Sequence, residues 1–122
     1  MKILIVDDER DFSDELSKFL KSLDYQVVNA YSGQEATEIL QRDKPDVLIS
    51  DLRLSGSGIL DGDSILESLK SISPDTVPIV VTGCTAERVR KRLAELGALR
   101  YLIKPIDLAE IEKILTEVKN SK

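Results

Sequence analysis

The chain has 122 residues, 42% of them apolar and 32% charged, with a net charge of −5, one cysteine and neither tryptophan nor histidine. That is the size and balance of one ordinary globular domain with an aliphatic core. The acidic excess argues against binding of nucleic acid or an anionic membrane by the chain as a whole, the lone Cys84 excludes an intramolecular disulfide, and the missing histidine removes imidazole ligation, imidazole general-base catalysis and a phosphohistidine of its own.

Strand and helix are predicted to alternate five times. Met1 to Val6 reads as a buried strand, and neither its length nor the acids after it suit a signal peptide. Asp11 to Leu23 reads as a helix with Phe12, Leu16, Phe19, Leu20 and Leu23 along one face. Tyr25 to Ala30 is a second strand. Ser32 and Glu35 have the spacing of a capping box and open a helix to about Arg42, which Lys44-Pro45 ends. Val47 to Ser50 is a third strand, with Asp51 at its end. Ser55-Gly56-Ser57-Gly58 is loop composition, closed by Asp61-Gly62, and the helix after it turns Ile65, Leu66, Leu69 and Ile72 inward. Ser73-Pro74-Asp75 is a turn. Val77 to Val81 is a fourth strand, followed by Thr82 and Gly83. Thr85 opens a fourth helix through Leu96, with Gly97 as its stop. Arg100 to Ile103 is the fifth strand. Asp107 and Glu110 repeat the capping spacing before a fifth helix that ends near Lys119, with Leu108, Ile111, Leu115 and Val118 inward.

Strands separated by helices of this length imply βαβ units, a parallel sheet and an α/β fold of three layers, with residues 1–122 forming one complete domain. No apolar run approaches the roughly 20 residues that span a bilayer, so no membrane segment is expected and the expected setting is cytoplasmic.

The chemistry concentrates at strand ends. Asp7 and Asp8 follow the first strand, Asp51 the third, Thr82 the fourth and Lys104 the fifth. In an open parallel sheet these positions share one edge, where ligands bind. Each has an ordinary explanation when taken alone, since acids near a helix N-terminus favour the macrodipole and a lysine before proline is commonly a surface residue. Together they put three carboxylates and an ammonium in one pocket, which suits a hard divalent cation and a ligand with negative oxygens. A carboxylate is also a nucleophile toward phosphorus, and phosphoryl transfer needs mostly positioning and charge neutralisation.

The run Ile3-Leu4-Ile5-Val6-Asp7-Asp8-Glu9, then Asp51-Leu52-Arg53-Leu54, Thr82-Gly83 and Tyr101-Leu102-Ile103-Lys104-Pro105 resembles the receiver domain of two-component response regulators. The match spans essentially the whole chain. It implies a flavodoxin-like (βα)5 three-layer sandwich with a five-stranded parallel sheet in the order 2-1-3-4-5. It makes Asp51 the phosphoacceptor for a sensor histidine kinase or phosphotransfer protein and Lys104 the contact to the phosphoryl group. Mg2+ would be held by Asp8 and Asp51 directly, by Asp7 largely through water, and by the backbone carbonyl of Arg53. Thr82 and Tyr101 become a switch pair that remodels the surface of the fourth helix, fifth strand and fifth helix. A cis Lys104-Pro105 bond is also implied. That same surface serves as a homodimer interface in the family, and here Arg88, Arg90, Lys91 and Arg92 face the acids Glu110, Glu112 and Glu117 as candidate partners. The job is signalling and not enzymatic turnover.

One stretch departs from the pattern. Ser55 stands where the family has proline, and Asp61-Gly62 comes about three residues late, with Ser57 to Leu60 as the extra material. Arg53 and Cys84 stand two residues past Asp51 and Thr82, where receivers line the path of attacking water. Three other functions fit the same fold. A flavin binder fails at the first loop, where Asp7-Asp8-Glu9 repels a phosphate. An aspartyl phosphatase would use Asp7 as nucleophile and Glu9 as acid/base. A docking receiver would have lost phosphorylation, against which the intact acid set argues.

Overall fold

The computed structural model describes residues 1–51, 68–82, 91, 94–95 and 100–121. The features expected at Arg53, Ser55 to Leu60, Asp61-Gly62, Ile65, Leu66, Gly83, Cys84, Thr85, Arg88, Arg90, Arg92, Leu96 and Gly97 lie outside these residues, as does the Thr82 side chain.

Five strands, β1 (Lys2–Val6), β2 (Gln26–Ala30), β3 (Val47–Asp51), β4 (Val77–Thr82) and β5 (Arg100–Ile103), form one sheet in the order β2-β1-β3-β4-β5. Every neighbouring pair is parallel. This is the flavodoxin-like arrangement that the resemblance implies. Strands β1 and β3 sit in the middle and are apolar on both sides, as buried parallel strands must be. Alternation then divides the core. Ile3 and Ile5 of β1 point with Val47, Ile49, Ile79 and Val81 toward one face, and Leu4 and Val6 with Leu48 and Val80 toward the other.

Helix α1 (Arg10–Ser22) and the C-terminal helix (Leu108–Asn120) cover the first face, through Leu16, Leu20, Ile111, Leu115 and Val118. Helix α2 (Gly33–Asp43) covers the second, through Ala36, Ile39 and Leu40, joined by Leu69 and Ile72 from the helical residues 68–72. Residues 91, 94 and 95 are helical too, within the predicted fourth helix.

The helix ends follow from local chemistry. Ser32 Oγ accepts from the Glu35 N–H at 3.2 Å, which is half of the expected capping box. Asp107 caps the C-terminal helix through the Ala109 N–H at 2.9 Å, one residue nearer than the Asp107–Glu110 spacing suggests. Lys44 closes α2 in the left-handed region, φ 45°, where a non-glycine residue costs about 1 kcal/mol. Its N–H bonds the Leu40 carbonyl and its ammonium bonds the Ile72 carbonyl, which offsets that cost. Pro78 lies inside the sheet but ahead of β5, which begins opposite Ile79, so its missing N–H breaks no bond on that side.

Two polar contacts are invisible to an apolar pattern. Ser13 on α1 is buried and accepts from Asn29 Nδ2 at 2.6 Å, which ties the helix to β2. Thr76 is buried as well, shares a hydrogen bond with Ser73, and donates to the Pro45 carbonyl at 2.5 Å.

Candidate functional site

The order β2-β1-β3 makes the chain leave β1 toward one side of the sheet and β3 toward the other. The crevice at the C-terminal ends of these two strands is therefore the natural ligand site. Asp7 enters it because the β1 ladder runs one bond further: the Asp7 N–H donates to the Ala30 carbonyl at 3.1 Å, and the residue is only 1% exposed. Asp51 is the last residue of β3 and not the first beyond it, in register with Val81, and is 8% exposed. Lys104 follows β5 directly, and its bond to Pro105 is cis.

The Lys104 ammonium reaches across the sheet edge to three carboxylates. It donates to Asp51 Oδ2 at 2.9 Å, Asp7 Oδ2 at 3.2 Å and Glu9 Oε1 at 3.4 Å. It also lies 4.7 Å from the centroid of the Phe12 ring. One carboxylate oxygen from each of Asp7, Glu9 and Asp51 falls within 4.8 Å of the others. At that spacing, and at an effective dielectric near 20, each pair of charges repels by roughly 3 kcal/mol. The effect is visible on Asp7. Burial pushes its carboxyl above the ordinary carboxylate range, and the nearby Asp51 charge adds to the rise, against the pull of the Glu9 N–H and of Lys104. Burial works against the charge on Lys104, but the hydrogen bond and charge of Asp51, then those of Asp7, outweigh it and hold the ammonium well above the usual lysine range.

Of the residues singled out in the sequence, the fold brings together Asp7, Asp51 and Lys104. Asp8 is half-buried and does not belong to the close carboxylate set, while Glu9 does. In the sequence Glu9 figures only as part of the motif and as an acid/base for a phosphatase. What brings Glu9 to the pocket is the bend at Asp8, closed by the bond from the Glu9 N–H to Asp7 Oδ1 at 2.9 Å, and no residue pattern in the sequence marks that turn. Tyr101 is half-buried against the core face built by Leu4, Val6 and Val80. It pairs with Val80, two steps along the ladder from Thr82, which pairs with Ile103.

The donor set is all oxygen, compact, and two-thirds buried, with three acids against one ammonium among the described residues. Such a set fits a small, hard divalent cation. Beside it a groove of about 480 Å3 runs between the first turns of α1 and the segment after β5, lined by Glu9, Phe12, Leu16, Lys104, Pro105 and Ile106 among others. At the start of α1 the Arg10 guanidinium stands 4.0 Å from the Tyr31 ring centroid.

A sheet of this order, with an acid ending β3, acids after β1 and a lysine after β5, defines a class. The family model of the response regulator receiver domain matches residues 3–116, and the chain belongs to that family. It is a receiver domain of a two-component response regulator. Over 110 residues it is 33% identical to sporulation initiation phosphotransferase F of Bacillus subtilis, a match that covers 90% of this chain and 86% of that one. Among solved structures it resembles the signal receiver domain of a DNA-binding response regulator from Colwellia psychrerythraea, with a TM-score of 0.88, 31% identity and 98% of each chain covered. It also resembles a response regulator from Burkholderia pseudomallei, solved with a phosphorylated aspartic acid, a calcium ion and citrate. There the TM-score is 0.84 and the identity 27%, and the match covers 98% of this chain and 71% of that one. No helix among the described residues is long and apolar enough to cross a membrane.

Proposed function

We propose that residues 1–122 form one receiver domain in which Asp51 accepts a phosphoryl group from the phosphohistidine of a sensor histidine kinase or phosphotransfer protein. The observation that carries this reading is the Lys104 ammonium 2.9 Å from Asp51 Oδ2, at the end of a buried strand and beside a second buried carboxylate. A bond forms between an Asp51 oxygen and phosphorus as the phosphorus–nitrogen bond breaks and the imidazole leaves. Lys104 is already aimed at Asp51 and neutralises an oxygen of the arriving group. The buried walls of β1 and β3 lower the local dielectric, so that each such contact counts for more than it would in water.

Mg2+ is the expected cofactor. Asp8 and Asp51 would hold it directly and Asp7 largely through water, with the Arg53 carbonyl as the family's further ligand. When bound, it supplies charge neutralisation for the phosphoryl oxygens. A divalent cation held there would compete with the Lys104 ammonium for the Asp7 and Asp51 oxygens and repel it, so Lys104 would shift away from it.

Once Asp51 is modified, Thr82 and Lys104 draw toward the new oxygens and Tyr101 turns inward. The surface of the predicted fourth helix, β5 and the C-terminal helix then changes, as a shift between two packings. That surface is the proposed partner or homodimer face. The domain is a switch and not an enzyme, and a cytoplasmic kinase is its expected donor. The Burkholderia relative, which carries a phosphorylated aspartic acid and a calcium ion, supports both the acceptor chemistry and a divalent cation.

The phosphatase reading needs Asp7 to attack. Its side chain is 2% exposed against 10% for Asp51, so Asp51 is the more accessible nucleophile. Incubation with phosphoramidate and Mg2+ tests the proposal. A hydroxylamine-labile label on Asp51, lost in chelator, is the expected result, and a label on Asp7 overturns it.

A further inference from the structure

Lys104 is shared among three acids of unequal kind. Asp7 and Asp51 lie inside, with side chains 2% and 10% exposed, while Glu9 is on the solvent side at 65%. Glu9 is also the N-cap residue of α1, yet its side chain makes no capping hydrogen bond. Its backbone is pinned to the pocket by the bond from its N–H to Asp7 Oδ1 at 2.9 Å, and its carboxylate turns to Lys104. Three residues on, the Phe12 ring presents a second stabilising contact for the same ammonium. The first turn of α1 therefore adds two contacts for the lysine beyond those of the two buried acids.

We propose that Glu9 is a positioning residue for Lys104: together with the Phe12 ring, it receives the ammonium when a divalent cation takes the Asp7–Asp51 side of the pocket. The inference rests on the metal-dependent reading above and adds to it the means by which one positive charge makes room for another without leaving the site. A cation on the Asp7–Asp51 side competes with the ammonium for the oxygens that hold it now. Glu9 is the one acid of the three that can follow Lys104 outward, because its side chain is long and its surroundings are open. Lys104 stays within reach of Asp51 and returns when phosphoryl oxygens appear.

Mg2+ titration by calorimetry at constant ionic strength tests this in the native chain, Glu9→Gln, Lys104→Met and the double variant. Glu9→Gln is expected to weaken Mg2+ binding by roughly threefold, the scale of a largely exposed charge pair. In the Lys104→Met background the same change is expected to have no effect, since no ammonium needs a place. Equal weakening in both backgrounds means that Glu9 acts on the cation directly, and it overturns the proposal, as does no weakening in the native background. Absence of any Mg2+ binding by the native chain defeats the metal-dependent reading as well, so the two failures are distinguishable. A second measurement avoids the Lys104 variant. In the native chain the Lys104 Hε resonances are expected to move upfield on Mg2+ addition, as the side chain settles over the Phe12 ring, and this shift is expected to vanish in Phe12→Leu. Unmoved Lys104 resonances in Mg2+-bound protein overturn the proposal.

Discussion

Lys104 and Asp51 are 53 positions apart in the chain and 2.9 Å apart in space, the shortest of the three bonds that the Lys104 ammonium makes to carboxylates. The contact joins the end of β5 to the end of β3 across β4. It makes the lysine a shared counter-charge for Asp7, Glu9 and Asp51.

Removing that counter-charge has a direct cost. Lys104→Met leaves Asp7 and Asp51 buried without it, and is expected to lower stability by roughly 1–3 kcal/mol in chelator. Mg2+ is expected to restore more stability in the variant than in the native chain, because no ammonium competes for the acids. Urea unfolding with EDTA and with Mg2+ measures both effects, and an unchanged midpoint in EDTA contradicts the counter-charge role.

Asp7 is expected to behave in the opposite way. Its folded pKa lies above the unfolded value near 3.9, so the native state binds more protons than the unfolded state between those two values. Stability therefore falls as pH rises through that window, and the deficit persists at neutral pH. Asp7→Asn keeps an acceptor for the Glu9 N–H, removes the buried charge, and is expected to raise stability at neutral pH by on the order of 1 kcal/mol. Chemical denaturation from pH 4 upward checks this. A less stable variant at pH 7, or an unaltered slope above about pH 4, contradicts it.

Thr76 offers a test far from the site. Thr76→Val keeps the shape but leaves the Pro45 carbonyl and the Ser73 hydroxyl buried without their partner, and is expected to cost about 1–3 kcal/mol. Thermal unfolding is the measurement, and a neutral effect means that water replaces the lost hydroxyl.

The fold was legible in the sequence because its signals are redundant. Val47 to Ser50 and Ile3 to Val6 are apolar on both faces, the helices repeat at their own period, and alternation of the two kinds of element leaves a parallel sheet as the natural solution. Strand ends were less sharply marked. Asp51 and Thr82 each belong to a strand that an apolar run closes one residue earlier, because backbone pairing continues under a polar side chain. The convergence of Asp7, Asp51 and Lys104 followed from the rule that strand ends share an edge. Glu9 is not legible, because its place depends on the bend at Asp8 and on its N–H bond to Asp7 Oδ1, which no residue pattern announces. The roles of Ser13 and Thr76 are not legible either, since a hydrophobic pattern carries no information about which buried hydroxyl finds a partner.

The central claim is that Asp51 is the acceptor in a cation-dependent pocket. Intact-mass and peptide mass spectrometry after incubation with acetyl phosphate tests it most directly, with Mg2+ and with chelator, on the native chain and on Asp51→Asn. The account predicts one added phosphoryl group, located on Asp51, present only with Mg2+ and absent from the variant. An adduct of the same yield in Asp51→Asn, or one formed equally well in chelator, contradicts it.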